Sequence, residues 1–277
     1  MSEPDGLAGR RLGVLGWPVS HSRSPAMHRA VLEALGMREW SYQRLPVPPA
    51  LFMETVRALG AAGFGGANVT VPHKHLALAV ADSATAAARG IGAANTLSFL
   101  RDGAITAENT DAPGLLLALG SEPAGRTAMV LGAGGTARAA VWALREAGAS
   151  VAVWNRGAER ALALAADLGV SAIERPHAAD LLVNTTTVGM DGCSSPDDAL
   201  TQLALNSDLL SRYAQVVDFA YAKGPTALVS AARERGVPTV DGLAILVAQG
   251  ALSFERWTGC VAPLGVMRRA AEVVDDA

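Results

Sequence analysis

Few folds can accommodate the run Met129-Val130-Leu131-Gly132-Ala133-Gly134-Gly135-Thr136-Ala137. An apolar, strand-like segment enters a turn rich in glycine and leaves it through small residues that begin a helix. The spacing G-x-G-x-x-A fits a dinucleotide-binding fingerprint, with Ala137 in the third small position. Gly132 permits the tight turn and Gly134 lets the backbone come close to a pyrophosphate. The free amides and dipole at the helix start favour its charge. A glycine-rich turn can also serve packing alone, so the next strand matters. In an NAD-binding unit an acid stands about 20 residues on, at that strand's tip, to hold the ribose diol. Here the strand predicted over 150–154 ends in Asn155-Arg156, with Arg160 after it and no acid. Arginines suit a 2′-phosphate, which selects NADP(H) over NAD; the bland alternative is an exposed basic turn.

The fingerprint sits in a longer alternation of strands and helices. Ahead of it, strands are predicted over 11–16, 40–45, 66–71, 95–100 and 104–107, the last two flanking the hairpin pair Asp102-Gly103. Helices are predicted over 25–35, 49–61, 73–80, 83–89 and 111–119. After the polar link 120–125 come strands over 127–131, 150–154, 181–184, 216–219 and 239–240. Helices follow at 136–147, 158–168, 243–258 and 263–274. Such alternation predicts α/β layers with a largely parallel sheet. The expected architecture is an N-terminal α/β substrate domain (1–112), a Rossmann-type NADP-binding domain (113–241), and C-terminal helices (242–277) returning to the first.

Composition narrows the function class. The formal net charge of −3 and pI near 6.0 lack the basic footprint of a nucleic-acid binder. No apolar run is long enough for a membrane span, and the first ten residues lack a secretory signal's apolar stretch. Two cysteines, Cys193 and Cys260, supply neither a disulfide framework nor a zinc quartet, so both are read as structural and the compartment as cytoplasmic. One count is uneven: of 23 basic residues all are arginine except Lys74 and Lys223. An ammonium can surrender its proton where a guanidinium cannot, which draws attention to those two lysines.

Lys74 lies in Asn68-Val69-Thr70-Val71-Pro72-His73-Lys74, where a strand ends and a helix begins. Ligands of open α/β sheets gather at such carboxyl ends. Further polar groups close Gly16-Trp17-Pro18-Val19-Ser20-His21-Ser22-Arg23-Ser24-Pro25; Ser22 and Ser24 could cap the next helix or donate to a ligand at its start. Asn95-Thr96 and Asn109-Thr110-Asp111 add amides and an acid at later element ends. His73 and His75 flank Lys74, but H-x-H alone reads as surface or helix-start polarity rather than as a metal site. Tyr42, Tyr213 and Tyr221 lack the lysine four residues on that a short-chain dehydrogenase would place there. His21 is read as support for the Ser22 turn rather than as a base.

Taken in order, Gly16-x-Pro18-x-x-His21-Ser22-x-Ser24-Pro25, Asn68-Val69-Thr70-x-Pro72-x-Lys74, Gly92-Ala93-x-Asn95-Thr96, Asn109-Thr110-Asp111, the 132–137 turn, Asn155-Arg156, Asn184-Thr185-Thr186-x-Val188-Gly189-Met190 and Gln249 resemble the shikimate dehydrogenase family over essentially the whole chain. The resemblance implies reversible reduction of 3-dehydroshikimate to shikimate by NADPH, a step of aromatic amino-acid biosynthesis. It implies Lys74 and Asp111 as the catalytic pair. Ser22, Ser24, Thr70, Asn95, Tyr221 and Gln249 would hold the substrate's carboxylate and hydroxyls. The cofactor would lie on Gly132, Ala133, Gly134, Gly135, Thr136 and Ala137, with Asn155, Arg156 and Arg160, and with Phe219 and Gly242 near the nicotinamide. The active site is then expected in a cleft between domains whose closure excludes water, in a monomer or homodimer with no nucleic-acid, membrane or metal partner.

The chemistry agrees on its own terms. Hydride delivery to a ketone builds an alkoxide that needs a proton or a fixed cation; Lys74 can supply either, and sequence leaves open which. Three positions depart from the family pattern: Arg29 for asparagine, Ile245 for methionine, and Ala222–Pro225 without the usual Asn-Pro. Quinate/shikimate or aminoshikimate dehydrogenases share the motifs, and a non-catalytic NADP- or shikimate-binding regulator is the alternative from another class.

Overall fold

A computed structural model describes residues 6–190 and 195–273. The chain forms two compact units, one running to Gly114 and resuming at Val247, the other spanning Leu115–Leu246. In the first, β1 (Arg11–Gly16), α1 (Ser24–Ala34), β2 (Ser41–Pro46), α2 (Phe52–Leu59), β3 (Phe64–Val69), α3 (Lys74–Val80), β4 (Ser83–Ala84), α4 (Ala86–Ile91), β5 (Thr96–Phe99), β6 (Ile105–Glu108) and the start of α5 (Asp111–Leu119) follow in order. The second holds β7 (Thr127–Leu131), α6 (Gly135–Glu146), β8 (Ser150–Trp154), α7 (Ala158–Leu168), β9 (Ser171–Ala172), β10 (Leu181–Asn184), α8 (Pro196–Gln202), α9 (Ser207–Leu210), β11 (Gln215–Asp218), α10 (Ala227–Glu234) and β12 (Thr239–Val240). Helix α11 (Gly242–Thr258) starts in the second unit and ends in the first, which α12 (Leu264–Glu272) completes.

The second sheet has the order β12-β11-β10-β7-β8-β9 with every pair parallel. Counted within the unit, this is the doubly wound order 3-2-1-4-5-6, and its direction reverses between β7 and β10. The glycine-rich turn leaves β7 at that reversal. The first sheet, β2-β1-β3-β5-β6-β4, is mixed rather than largely parallel. Its β5 runs antiparallel to β3 and β6; the Asp102-Gly103 turn folds β6 straight back on β5, with Gly103 at φ +87 and Asp102 Oδ1 accepting the Ala104 N–H. The carboxyl ends of neighbouring parallel strands β1 and β3 lie together, joined by Trp17 N–H to the Val71 carbonyl at 3.1 Å.

Some elements differ from expectation. The helix expected over 83–89 is split: Ser83–Ala84 pairs with β6, and Thr85 caps α4 by accepting the Ala88 N–H. The helix expected over 49–61 is a 3₁₀ turn, Pro49–Leu51, followed by α2. Helices α8, α9 and α10 were not expected, yet each has a side-chain cap, from Ser195, Asn206 and Thr226 respectively. Ser22 and Ser24 do not cap α1 in the usual way: its N-cap is Arg23 without a side-chain bond, and Ser22 Oγ accepts only a long 3.4 Å contact from the Ser24 N–H. Arg29 instead donates to the Pro25 carbonyl, and Ile245 is buried in the second unit's core.

Small residues set close packing in the first unit. A Cβ on Gly66 would stand 2.2 Å from the Trp257 Nε1, which donates to the Leu97 carbonyl at 3.0 Å. His28, fully buried on α1, stacks on Tyr42 at 4.2 Å between ring centroids, and neither of its ring nitrogens has a hydrogen-bond partner. Burial lowers its pKa from 6.5 to about 3. Between those values the unfolded chain binds the proton and the folded one does not, so stability falls as pH drops through the window. We expect His28→Phe to lose this dependence: relative to its offset at neutral pH, it should gain on the wild type by about 1.4 kcal/mol per pH unit below 6.5. Denaturant unfolding at neutral pH and at about pH 5 checks it; parallel losses in the two proteins would remove His28 as the cause. The comparison is needed because buried Asp218, its pKa pushed up to about 6, slopes the other way.

Candidate active site

Lys74 opens α3, and Asp111 opens α5. Between them runs an ion pair of 2.6 Å from Nζ to Oδ2, both side chains about nine-tenths buried. Asn109 holds the start of α5 by accepting the N–H groups of Asp111 and Ala112, while its own amide donates to the Ala93 carbonyl. The backbone behind Lys74 is fixed too: its carbonyl accepts the Ala94 N–H at 2.9 Å.

Asn95 joins this pair to the other polar groups. Its Nδ2 donates to Asp111 Oδ1 at 2.9 Å, and contacts Thr110 Oγ1 at 3.0 Å and Gln249 Oε1 at 3.3 Å. Its Oδ1 accepts from the Thr110 N–H at 2.7 Å. Gln249 reaches the group because Gly114 lets α11 approach α5: a Cβ there would lie 2.8 Å from that of Gln249. So Lys74, Asp111, Asn95 and Gln249 form one buried cluster of alternating donors and acceptors. Such a cluster can orient hydroxyls and place a cation at an oxygen where charge develops.

In the same unit, Thr70 directly follows β3, Ser22 lies in the turn between β1 and α1, and Ser24 opens α1. Arg44 donates to the Ser22 carbonyl at 3.0 Å and holds that turn. Thr70 packs on Gly16, where a Cβ would meet its methyl at 2.5 Å. Beside Lys74, His73 stands at a helix start, as one of the two expected readings has it, being the N-cap of α3; it is fully buried rather than at the surface, bonded to the Val47 carbonyl at 2.7 Å and stacked on Phe52. His75 is exposed and meets the Gly92 carbonyl. His21 is exposed, its pKa lowered by partial burial and by the Arg44 charge. Cys260 touches its own loop at the Thr258 carbonyl; Cys193 lies outside the described residues.

Asn68 and Tyr42 were given no role by the sequence reading. The Tyr42 hydroxyl donates to Asn68 Oδ1 at 2.7 Å, and Asn68 Nδ2 reaches the Asn95 carbonyl and Thr96 Oγ1, both at 3.4 Å. Asn68 stood in the quoted motif and was the available signal. Tyr42 had none, because its partner is 26 residues away.

In the second unit Gly132 has φ +115, and a Cβ on it would strike Thr185 Oγ1 at 2.5 Å. Gly134 faces open space and is the N-cap of α6 with no side-chain capping bond. The helix start thus offers backbone N–H groups to an anion, the cradle a pyrophosphate requires. Ala137 is buried against the sheet, as the fingerprint's third position demands. Next to the turn a cavity of about 480 Å³ is lined by Asn155, Arg156, Thr186, Val188 and Gly189 among others. Arg156, part of that lining, is exposed, and so is Arg160 in the first turn of α7. Phe219 packs partly on the core. Gly242 has an internal reason: its Cβ would lie 2.3 Å from the Ala220 carbonyl oxygen. Tyr221 is half-buried in this second unit, not in the one that carries Lys74.

A chain that holds a doubly wound unit with an uncapped glycine turn and a second unit carrying a buried ammonium–carboxylate pair defines a class: α/β oxidoreductases that use a nicotinamide dinucleotide. Comparison with known proteins narrows it. Residues 14–97 match the shikimate dehydrogenase substrate binding domain, 118–243 the shikimate / quinate 5-dehydrogenase model, and 242–272 the shikimate 5′-dehydrogenase C-terminal domain. The chain belongs to the shikimate dehydrogenase family. A shikimate dehydrogenase (NADP(+)) of Methylobacterium radiotolerans is 47% identical over 91% of this chain and 93% of its own length. The Thermus thermophilus shikimate 5-dehydrogenase, solved with NADP(H) and shikimate, superposes with a TM-score of 0.84 at 41% identity, covering 94% of this chain and 98% of that one. A 5-ketofructose reductase of Gluconobacter sp., in its ligand-free form, gives 0.80 at 29%, covering 95% and 98%. Among the described residues no helix is long and apolar enough to cross a membrane.

Proposed function

We propose that this chain interconverts 3-dehydroshikimate and shikimate with NADP(H). The observation that carries the reading is the buried Lys74–Asp111 pair, held by Asn95 and Gln249, in a chain of this family. Bound at the 132–137 turn, the cofactor supplies the hydride. Lys74 presents its Nζ proton to the oxygen on which charge develops, and Asp111 Oδ2 keeps that nitrogen in place. Asp111 Oδ1, tied to Asn95, keeps the carboxylate from turning away. Ser22, Ser24, Thr70, Asn95, Tyr221 and Gln249 bind the carboxylate and hydroxyls of the substrate. The 1–112 segment with the C-terminal helices acts as the substrate domain, and 113–241 as the cofactor domain.

Asn155, Arg156 and Arg160 hold the 2′-phosphate. We expect Arg156→Ala to raise the KM for NADP+ by about tenfold or more while leaving that for NAD+ within about twofold, since only the phosphate needs the guanidinium. Equal changes for both cofactors would move Arg156 out of phosphate recognition.

Initial rates with shikimate and quinate, each with NADP+ and NAD+, test the reading as a whole. Shikimate with NADP+ should give the highest kcat/KM. The matched model's name, shikimate / quinate 5-dehydrogenase, favours quinate as the second substrate; a preference for quinate with NAD+ would replace the first reading. Binding of NADP+ without turnover on any pair would indicate a regulator instead. With two cysteines in the chain, we place the enzyme in the reducing cytoplasm, as a monomer or homodimer.

A further inference from the structure

The second unit buries a carboxylate that the reaction does not use. Asp218, the last residue of β11, is fully inaccessible to solvent. Burial raises its pKa to about 6, against the pull of its hydrogen bonds, so at neutral pH it is an anion that can only accept. Its Oδ1 accepts from Asn184 Nδ2 at 2.8 Å and from the Ala220 N–H at 3.0 Å, and its Oδ2 accepts from the Thr226 hydroxyl at 2.6 Å.

An acceptor-only group sets the direction of every bond beyond it. Because Asn184 must turn its NH₂ toward Asp218, its Oδ1 faces the other way, where it takes the Thr186 N–H at 3.0 Å and the Thr186 hydroxyl at 2.8 Å. Having spent its proton there, Thr186 Oγ1 accepts the Val188 N–H at 3.2 Å. Thr186, Val188 and Gly189 line the cavity beside Arg156. On the other arm, the Thr226 hydroxyl donates to Asp218 and so has a lone pair for the Val229 N–H, which caps α10. Gly189, at φ +89, is nested against Thr226: a Cβ on it would lie 3.4 Å from the threonine Cβ. The third arm holds Ala220, between Phe219 and Tyr221, with Gly242 packed on its carbonyl.

We infer that Asp218 is the positioning residue of the cofactor site: by forcing Asn184 and Thr226 to donate, it holds the 185–190 loop and the 219–221 segment in the arrangement that receives NADP(H). The inference rests on the proposed cofactor role of this unit and adds to it a residue that does not touch the dinucleotide. Two substitutions and one control test it. Asp218→Asn keeps the volume but can donate as well as accept, so Asn184 loses its enforced orientation. Thr226→Val removes one donor, and Thr226→Ser restores it.

The readout is the dissociation constant for NADP+, titrated directly on the full chain, together with the KM for NADP+ and the kcat. Asp218→Asn and Thr226→Val should each weaken NADP+ by about tenfold or more, the fold-change expected for a hydrogen bond to a buried charge, while Thr226→Ser stays close to wild type. Lower melting temperatures with NADP+ affinity within about twofold of wild type would make the network a structural brace only and overturn the inference. Should Asp218→Asn not fold, the valine–serine contrast at Thr226 decides alone. Wild-type protein that fails to bind NADP+ would instead sink the cofactor reading itself, and that titration is run first.

Discussion

Lys74→Ala should lower kcat for shikimate oxidation by about 10²–10⁴-fold, the range for losing a positioned acid or base. Shikimate affinity should fall far less, because Ser22, Ser24, Asn95 and Gln249 remain. The geometry favours a large effect on the chemical step. The Nζ is anchored at 2.6 Å from Asp111 and nine-tenths buried, so water cannot readily take its place at the reacting oxygen. Lys74→Arg separates the two things a lysine offers there. A guanidinium keeps the charge but does not give up its proton at ordinary pH. If proton transfer dominates, the arginine variant should be nearly as slow as alanine; if a fixed charge suffices, it should recover much of the rate. An unchanged kcat in Lys74→Ala would remove this residue from the reaction.

Asp111→Asn is the second large effect. Breaking a buried ion pair leaves its partner charged and uncompensated, which costs about 3–5 kcal/mol in well-buried cases. The substitution also disturbs Asn95, whose Nδ2 donates to Asp111 Oδ1 at 2.9 Å, and through it Thr110 and Gln249. We expect kcat/KM to drop by about a hundredfold or more, with kcat carrying most of the loss, and the melting temperature to fall as well. A rise in KM alone would make Asp111 a binding residue. The double variant with Lys74→Ala should be little worse than the worse single one, because groups acting as a unit are not additive.

The parts of the molecule legible in the sequence are those whose physics is local. Strands β7, β8 and β10 and helix α7 coincide with expectation at both ends, since apolar runs bounded by glycine and polar residues leave little choice. Lys74 and Asp111 were legible because each lies where a strand gives way to a helix within a recognisable motif. Helices α8 to α10 were missed although Ser195-Pro196-Asp197-Asp198 carries a start signal of cap, proline and acidic first turn. The antiparallel β5 was legible only as a hairpin, not as a break in a parallel sheet.

What stayed hidden depends on long-range contacts. Asp218 reads as an ordinary polar strand end; only the fold brings Asn184, 34 residues earlier, to its carboxylate. The Tyr42–Asn68 bond and the buried His73 became visible in the same way, through partners that no local pattern announces. Polar residues at strand and helix ends are therefore visible in sequence as a group, but which of them touch one another is decided by tertiary packing.

The central claim, that Lys74 acts in the chemical step, is tested most directly by single-turnover hydride transfer. Wild type and Lys74→Ala, each saturated with shikimate and NADP+, are followed by nicotinamide absorbance, so that product release cannot mask the step. We predict a rate at least about a hundredfold slower in the variant, with both ligands still bound. A single-turnover rate within about threefold of wild type would contradict that claim.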